Sequence, residues 1–296
     1  MLGVLTSSPV SAIGWTFLFG LLWGVGAVTF GLTMRYLGMA LGMSVALGFC
    51  ALFGTLIPPI FRGEFLQILA DTGGRVVVAG VLLCVGGIVV AGYAGLRKEW
   101  DLSLMKPELN KTGDREFAPI KGMVVAFVAG LMSACFAFGI QSGAPIAQAA
   151  VEAGTNPLFQ NNAVLCIILP GGFVTNTMWC LFLNWRNRSF PAYGAASPRQ
   201  TFQMLGLCAL AGVIWYFQFF FYGMGAAKLG AFDFSSWSLH MSFIIICGNL
   251  WGLGFNEWKG VKPATLLTVW AGILILVLST VIIGWGNALA TGSSGR

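Results

Sequence analysis

The chain has 296 residues, of which 57% are hydrophobic and only 9% are Asp, Glu, Lys or Arg, and its mean hydropathy is +0.83. Soluble domains carry roughly 25% charged residues, so this composition excludes a water-soluble globular protein. The formal net charge is +6, but in a membrane protein positive charge has to be assigned loop by loop, and it gives no support to nucleic-acid binding.

Eight apolar segments follow one another along the chain, and we letter them A to H. Every Asp, Glu, Lys and Arg falls between the segments, with Asp233 at the edge of G, as expected because a charge at the bilayer centre is costly. At about 20 apolar residues per crossing, the sequence predicts an all-α integral membrane protein with about eight transmembrane helices. The segments are A 12–34, B 37–60, C 76–95, D 122–141 with a helical continuation, E 157–183, F 202–226, G 234–255 and H 264–288.

Seven cysteines lie in these apolar runs without a CxxC pair. This distribution is typical of small packing residues rather than of disulfides or a metal cluster. The sequence also has no nucleophile and base arrangement and no phosphate-binding loop. We therefore expect neither a metal ion nor a cofactor, and no enzymatic activity.

The positive residues are distributed unevenly between alternate connectors. Of the 16 Lys and Arg residues, 12 lie in the connectors A–B, C–D, E–F and G–H. The positive-inside rule then places these connectors, including the long basic connector 96–121, in the cytoplasm and both termini outside. A solvated loop between two halves of the molecule is the simplest interpretation of that connector.

An offset of 192 residues aligns the A–B region with the F–G region. A and F are an odd number of helices apart, so they cross the membrane in opposite senses, as in transporters built from inverted repeats. Chance similarity is the alternative, because Gly and Leu are common in membrane helices. The matched pairs are Trp23 with Trp215, Gly31 with Gly223, Leu37 with Leu229, Gly38 with Gly230, Ser44 with Ser236 and Leu47 with Leu239.

This repeat predicts a division of the chain into three parts. Residues 1–95 hold helices A to C of the first repeat, 96–121 form the cytoplasmic connector, and 122–296 hold helices D to H of the second repeat. The partners of D and E would precede A, so the expected architecture is a ten-helix inverted-repeat fold that lacks its first two helices.

Several stretches of the sequence are distinctive. They are FGLLWGVGAVTFGLTMRYLGMALG (19–42), WYFQFFFYGMG (215–225), WSLHMSF (237–243) and EWKG (257–260), with support from GTLIPPI (54–60), GGRVVVAGVLL (73–83), KGMVVAFVAGLMSA (121–134), NPLF (156–159) and PGGFVTN (170–176). Together these stretches resemble a known family, the L-rhamnose–proton symporters of the drug/metabolite transporter superfamily. The resemblance runs from about 17 to about 284. It implies a sugar transporter of the bacterial inner membrane that moves L-rhamnose or a related deoxyhexose inward together with a proton.

A sugar needs amide partners for its hydroxyl groups and an aromatic surface for its C–H face. Gln218 lies mid-span in F, and Trp215 is three residues away on a neighbouring face of the same helix. Asn176 follows the glycine pair 171–172 in E, and Gln141 precedes Pro145 at a predicted break in D. These four are candidate substrate ligands; helix packing, an interfacial anchor or a simple kink are the alternatives.

The proton-coupling group is harder to assign, because no carboxylate lies inside a segment. The candidates are His240, the only histidine, the segment-edge Asp233, or an outer-loop acid such as Glu152. Asp233, Trp237 and His240 have the spacing i, i+4 and i+7, which places them on one face of G. We expect His240 and Trp237 to contact substrate and His240 and Asp233 to carry the proton, while a helix cap for Asp233 and simple packing for His240 stay open.

The residues predict a secondary active transporter in the lipid bilayer, and the resemblance implies that it is a sugar–proton symporter with L-rhamnose as its substrate. Two alternatives remain at this stage. One is a drug/metabolite-type transporter of another small metabolite, for which a fixed charge inside the spans would be expected. The other is a membrane remnant or sensor that does not transport.

Overall fold

The computed structural model describes residues 2–105, 118–194, 197–229 and 232–293, and all regular elements in these ranges are helices. Two short 3₁₀ turns lie at Pro157–Phe159 and Phe190–Gly194. The all-α prediction is therefore confirmed. The α-helices are α1 Leu2–Ser7, α2 Val10–Leu37, α3 Met39–Phe61, α4 Phe65–Ala70, α5 Thr72–Met105, α6 Pro119–Ser142, α7 Ala144–Glu152, α8 Asn161–Asn187, α9 Pro198–Ala226, α10 Ser235–Gly254 and α11 Pro263–Ser293.

Each predicted segment corresponds to a long helix, but most helices extend beyond the segment. Segment C ends at residue 95, whereas α5 continues to Met105 through Arg97, Lys98 and Asp101. A segment predicted from hydropathy ends at the first charged residues, whereas the backbone hydrogen bonding of the helix continues past the end of the apolar run. The short helices α1 and α4 lie outside the predicted segments, and residues 106–117 of the basic connector lie outside the described residues.

Seven helices of the described residues are long and apolar enough to cross a membrane. The segment that does not qualify is G, although α10 forms there as a helix of 20 residues. Its first half is rich in serine, and Ser235, Ser238 and Ser242 are each 0% exposed. These hydroxyls are satisfied by protein partners rather than placed in lipid, so the mean hydropathy of the segment falls without a large energetic cost.

The chain folds into two compact units, each made from two stretches of sequence. Unit 1 holds residues 1–24 and 139–228, and unit 2 holds 25–138 and 229–296. The predicted division at residues 95 and 122 is based on the sequence repeat, whereas these two units are defined by their internal packing. The predicted division therefore stays a prediction.

Unit 1 is held together by close backbone contact between α2 and α8. A Cβ atom at Gly171 would stand 2.6 Å from the Phe17 carbonyl oxygen, and one at Gly20 would overlap the Ile168 carbonyl. Thr175 Oγ1 also donates a hydrogen bond to the Leu21 carbonyl at 2.9 Å. The glycine pair of segment E therefore lets α2 and α8 approach closely, because only glycine leaves room for the partner backbone.

Unit 2 brings alternate connectors to the same end of its helices. Lys98 Nζ lies 3.5 Å from Glu257 Oε2, and the backbone N–H of Lys262 donates to Asp101 Oδ2 at 3.0 Å. The backbone N–H of Ala118 donates to the Tyr36 carbonyl at 3.1 Å. Connectors A–B, C–D and G–H therefore share one end of unit 2, as the charge pattern predicts.

The opposite end of unit 2 collects the connectors B–C and F–G. Ile68 of α4 packs in one buried cluster with Phe232 and Phe234, which precede α10. Arg62 and Glu64 form an ion pair at 2.9 Å in the B–C connector. The two ends of unit 2 thus carry the two sets of connectors that the sequence assigns to opposite sides of a membrane.

Candidate functional site

Trp215 of α9, a candidate residue of unit 1, forms an aromatic cluster with Trp23 of α2 and Phe219 of α9. The two indoles are stacked, with ring centroids 5.8 Å apart and an interplanar angle of 13°. Phe219 meets both indoles edge-on, at 4.8 Å from Trp215 and 5.6 Å from Trp23. Trp215 is 49% exposed, so the cluster presents an apolar ring surface of the kind that covers the C–H face of a pyranose.

Two amides of unit 1 remain available for a ligand. Gln218 and Gln141 are both half-buried. Neither side chain makes a hydrogen bond with another residue in the described part of the chain. An amide offers both a donor and an acceptor, so each can serve a sugar hydroxyl in either direction.

Gln141 lies where the structure interrupts a helix. α6 ends at Ser142, α7 begins at Ala144, and Gly143 between them has φ −83° and ψ 3°. Pro145 occupies the start of α7, where the missing N–H of proline does no harm. The break predicted from Pro145 is therefore confirmed, and Gln141 is in the last turn before it.

Asn176 lies in an open groove of about 580 Å³ on unit 1. Its Nδ2 donates to the carbonyl of Gly172 in the preceding turn at 2.8 Å. The groove combines amides and hydroxyls with aromatic rings. Its lining consists of Phe173, Asn176, Thr177, Cys180, Leu181, Asn184, Phe190 and Tyr193.

In unit 2, Trp237 is buried and its indole N–H makes a hydrogen bond within the protein. The indole is 3% exposed, its Nε1 donates to the Cys50 carbonyl at 3.1 Å, and its ring stacks on Phe136 at 5.5 Å. The half-buried ring of His240 lies 5.6 Å from the indole. Trp237 and His240 are therefore neighbours, as predicted, and the indole packs beside the histidine ring. Contact between Trp237 and the substrate stays a prediction.

Asp233 lies in the turn before α10 rather than on the helix. The N-cap position of α10 is Phe234, without a side-chain cap hydrogen bond, and the Asp233 carbonyl accepts from the Ser236 N–H at 2.9 Å. Burial raises the pKa of Asp233 above its usual value, and the positive charge of Arg62 opposes this effect. The seven residues that separate Asp233 from His240 correspond to about 10 Å of helix rise.

A chain of buried hydroxyl and thiol groups links α3, α5 and α10 in unit 2. Thr55 Oγ1 and Ser238 Oγ are 2.7 Å apart, and Cys84 Sγ is 2.9 Å from Ser242 Oγ. Ser242 Oγ in turn donates to the Ser238 carbonyl at 2.9 Å. These groups satisfy one another as helix-packing contacts. Among the described residues, no group of three or more His, Cys, Asp or Glu side chains could hold a metal ion.

Sequence reasoning did not single out Trp23 as a site residue. The structure places it against Trp215, the residue with which the 192-residue offset pairs it. That pairing was the one sequence signal that could have identified Trp23.

Comparison with known proteins assigns the chain to a family. The family model described as L-rhamnose-proton symport protein (RhaT) matches residues 4–289. The chain belongs to the L-rhamnose–proton symport family. The resemblance noted in the sequence is thereby confirmed, and the protein is a member of a transporter family rather than an enzyme.

Curated members of the symport family cover most of the chain. The L-rhamnose-proton symporter of Mannheimia succiniciproducens is 38% identical over 92% of this chain and 78% of its own length. The proteins of the same name from Yersinia pestis and Yersinia pseudotuberculosis show the same identity and coverage. No solved structure matches the chain.

Proposed function

We propose that this protein is a secondary transporter of the bacterial inner membrane that takes up L-rhamnose, or a closely related deoxyhexose, together with a proton. The observation that carries the proposal is the 38% identity to proteins named L-rhamnose-proton symporter over 92% of the chain. The available amides and the exposed indole of unit 1 support it, because a neutral sugar requires hydrogen bonds and an apolar ring contact rather than a fixed charge.

The sugar site is assigned to four residues of unit 1. Trp215 covers the C–H face of the pyranose with the exposed part of its indole. Gln218 and Gln141 bind hydroxyl groups through amides that have no partner among the described residues. Asn176 binds a further hydroxyl through its carbonyl oxygen, since its Nδ2 is held by Gly172.

Proton coupling is assigned to unit 2. His240 is the group that takes up and releases the proton, because it is the only histidine in the sequence and no carboxylate lies inside a segment. Trp237 fixes the histidine ring by the contact at 5.6 Å and stays in place through its own bond to Cys50. Asp233 is a second titratable group at the outer end of the same unit.

The orientation follows from the charge distribution. The end of unit 2 that carries Lys98, Lys259 and Lys262 lies in the cytoplasm, and the end with the Arg62–Glu64 pair faces outward. Both termini are then outside, and the connector 96–121 is cytoplasmic. Helices A to C and D to H act as the two halves of an inverted repeat that alternate access to the sugar.

The decisive experiment is uptake of labelled L-rhamnose into sealed vesicles with and without a proton gradient. We expect accumulation that collapses on addition of an uncoupler. L-Rhamnose uptake that is indifferent to pH and to uncoupler contradicts symport, and transport of an amino acid or nucleotide sugar in place of a deoxyhexose contradicts the substrate.

Replacement of His240 separates coupling from sugar binding. His240→Ala and His240→Gln should both abolish gradient-driven accumulation, while L-rhamnose exchange between equal concentrations continues. Asn249→Ala is the matched control, because Asn249 is a half-buried polar residue of α10 whose Nδ2 bonds the Ile245 carbonyl of its own helix at 2.9 Å. Unchanged accumulation in both histidine variants assigns His240 to packing.

A further inference from the structure

The stacked pair Trp23 and Trp215 joins two residues that the internal repeat makes equivalent. Their separation in sequence is the offset that aligns the A–B region with the F–G region. Their rings are nearly parallel at 5.8 Å. Two equivalent residues can touch each other only where the axis that relates the repeats passes between them.

The same offset continues into α5 and α11, which strengthens the equivalence. It pairs Val77 with Val269, Gly80 with Gly272 and Gly92 with Gly284. The matched glycines Gly80 and Gly272 also lie on the contact face between the two helices. A Cβ atom at Gly80 would stand 2.7 Å from Ile283 Cγ1, and one at Gly272 would stand 3.1 Å from the Ala91 backbone nitrogen.

The contact of Gly80 with Ile283 and the contact of Gly272 with Ala91 correspond to each other when the two repeats are exchanged. Adding the offset to Gly80 and Ala91 gives Gly272 and Ile283, the residues on the other helix. Within unit 2, the two helices therefore run in opposite senses and meet through equivalent faces. This is the geometry that an inverted repeat requires.

The surroundings of the two tryptophans are not equivalent. Trp215 is 49% exposed, whereas Trp23 is half-buried and lies against α8, where a Cβ atom at Gly172 would stand 2.6 Å from the Trp23 ring. Phe219 follows Trp215 by one helical turn, and the residue that corresponds to it after Trp23 is Ala27. One member of the pair is thus exposed, while the other is packed between it and α8.

Inverted repeats exchange their conformations when a transporter changes the side to which its site is open. A residue pair on the axis then exchanges its surroundings as well. The tryptophan that is packed behind the stack in one state becomes the exposed tryptophan in the other. Neither indole needs to leave the stack completely for this exchange.

We propose that Trp23 is a second sugar-facing residue, and that Trp23 and Trp215 alternate as the aromatic surface for the deoxyhexose in the two access states. This inference rests on the proposed sugar-transport function. An indole face contacts the ring C–H groups and the methyl group of a 6-deoxy sugar without needing a hydrogen bond. The pair therefore favours a deoxyhexose over the corresponding hexose, whose extra hydroxyl would lose its water partner there.

The test measures half-saturating L-rhamnose concentrations from each side of proteoliposomes in which the protein has one known orientation. Trp215→Leu should raise this concentration about tenfold from one side, and Trp23→Leu should raise it about tenfold from the other side. Each leucine variant should also lose preference for L-rhamnose over L-mannose from its affected side. Trp23→Phe keeps an aromatic ring and should retain most of the affinity.

Trp15→Leu is the matched control, because Trp15 is on the same helix as Trp23, is 56% exposed and pairs with Phe19 at 5.9 Å. Its equivalent under the offset is Leu207, so both concentrations and the sugar preference should stay unchanged.

Three results overturn the proposal. If Trp23→Leu matches Trp15→Leu in affinity and preference, Trp23 is a packing residue only. If Trp23→Leu and Trp215→Leu raise the half-saturating concentration from the same side only, the tryptophans do not alternate. If Trp23→Leu and Trp23→Phe lower the amount of folded protein equally and leave the selectivity unchanged, Trp23 serves stability. A wild-type protein that does not transport L-rhamnose at all would instead refute the proposed function, and this inference with it.

Discussion

Trp237 offers a direct test of how unit 2 is packed. Its indole is 3% exposed, stacks on Phe136 at 5.5 Å and donates to the Cys50 carbonyl at 3.1 Å. Gly54 makes room for it, because a Cβ atom there would overlap the indole. Trp237→Phe replaces the indole with a shorter side chain, so it removes the N–H group and leaves part of the indole's space empty.

The expected cost has two parts of similar size. Loss of the hydrogen bond removes about 1 kcal/mol, since such bonds between membrane helices are worth about 0.6 to 1.7 kcal/mol. The empty space left by the smaller side chain, a few tens of Å³, costs about 1 kcal/mol more. The sum of about 2 kcal/mol changes the ratio of folded to unfolded protein roughly 30-fold.

The measurement is unfolding in mixed micelles by increasing SDS, followed by far-ultraviolet circular dichroism so that the lost tryptophan does not affect the signal. Trp285→Phe is the control, because Trp285 lies in α11 of the same unit and is 61% exposed. We expect the control to change the free energy of unfolding by less than about 0.5 kcal/mol. If Trp237→Phe is as harmless as Trp285→Phe, the buried contact described for Trp237 is refuted.

Three further predictions concern the sugar, the acid and the orientation. Gln218→Ala should raise the half-saturating L-rhamnose concentration about tenfold, because it removes one hydrogen bond to the sugar. Gln203→Ala, on the exposed part of α9, is the control and should leave this concentration unchanged. Equal effects of the two substitutions would exclude Gln218 as a ligand. Burial raises the pKa of Asp233, so its ionisation costs stability as pH rises above the usual carboxyl range. Asp233→Asn should therefore melt at least as high as wild type at pH 7, with the difference lost below about pH 4; a lower melting temperature at pH 7 contradicts this sign. In a cysteine-free background, Lys259→Cys should react with an impermeant maleimide only from the cytoplasmic side and Arg62→Cys only from outside, and labelling of both from one side would reject the orientation.

Helix positions were predictable because the bilayer imposes a single strong pattern. Apolar runs located the eight long helices of the described residues, and Pro145 located the break between α6 and α7. The ends were less predictable. Arg97, Lys98 and Asp101 marked the end of segment C, yet α5 continues through them because a helix that leaves the bilayer needs no apolar side chains.

The site was predictable only in part. Scarcity of polar residues inside the segments singled out Gln218, Gln141 and His240 as candidates, since each polar group in an apolar helix needs a reason. The same argument could not distinguish Trp237, which is buried with its N–H bonded, from Trp215, which is half exposed. Exposure depends on the neighbouring helices, and no local pattern encodes it.

The sequence by itself determined the membrane class, the helices, the family and the alternation of connectors, because hydropathy, charge and identity are properties of the chain alone. The tertiary structure decided which side chains meet. It stacked Trp23 on Trp215, placed His240 against Trp237 and used the serines of α10 as packing partners. Such contacts join residues up to about two hundred positions apart, and their geometry is set by helix packing, which only the folded chain specifies.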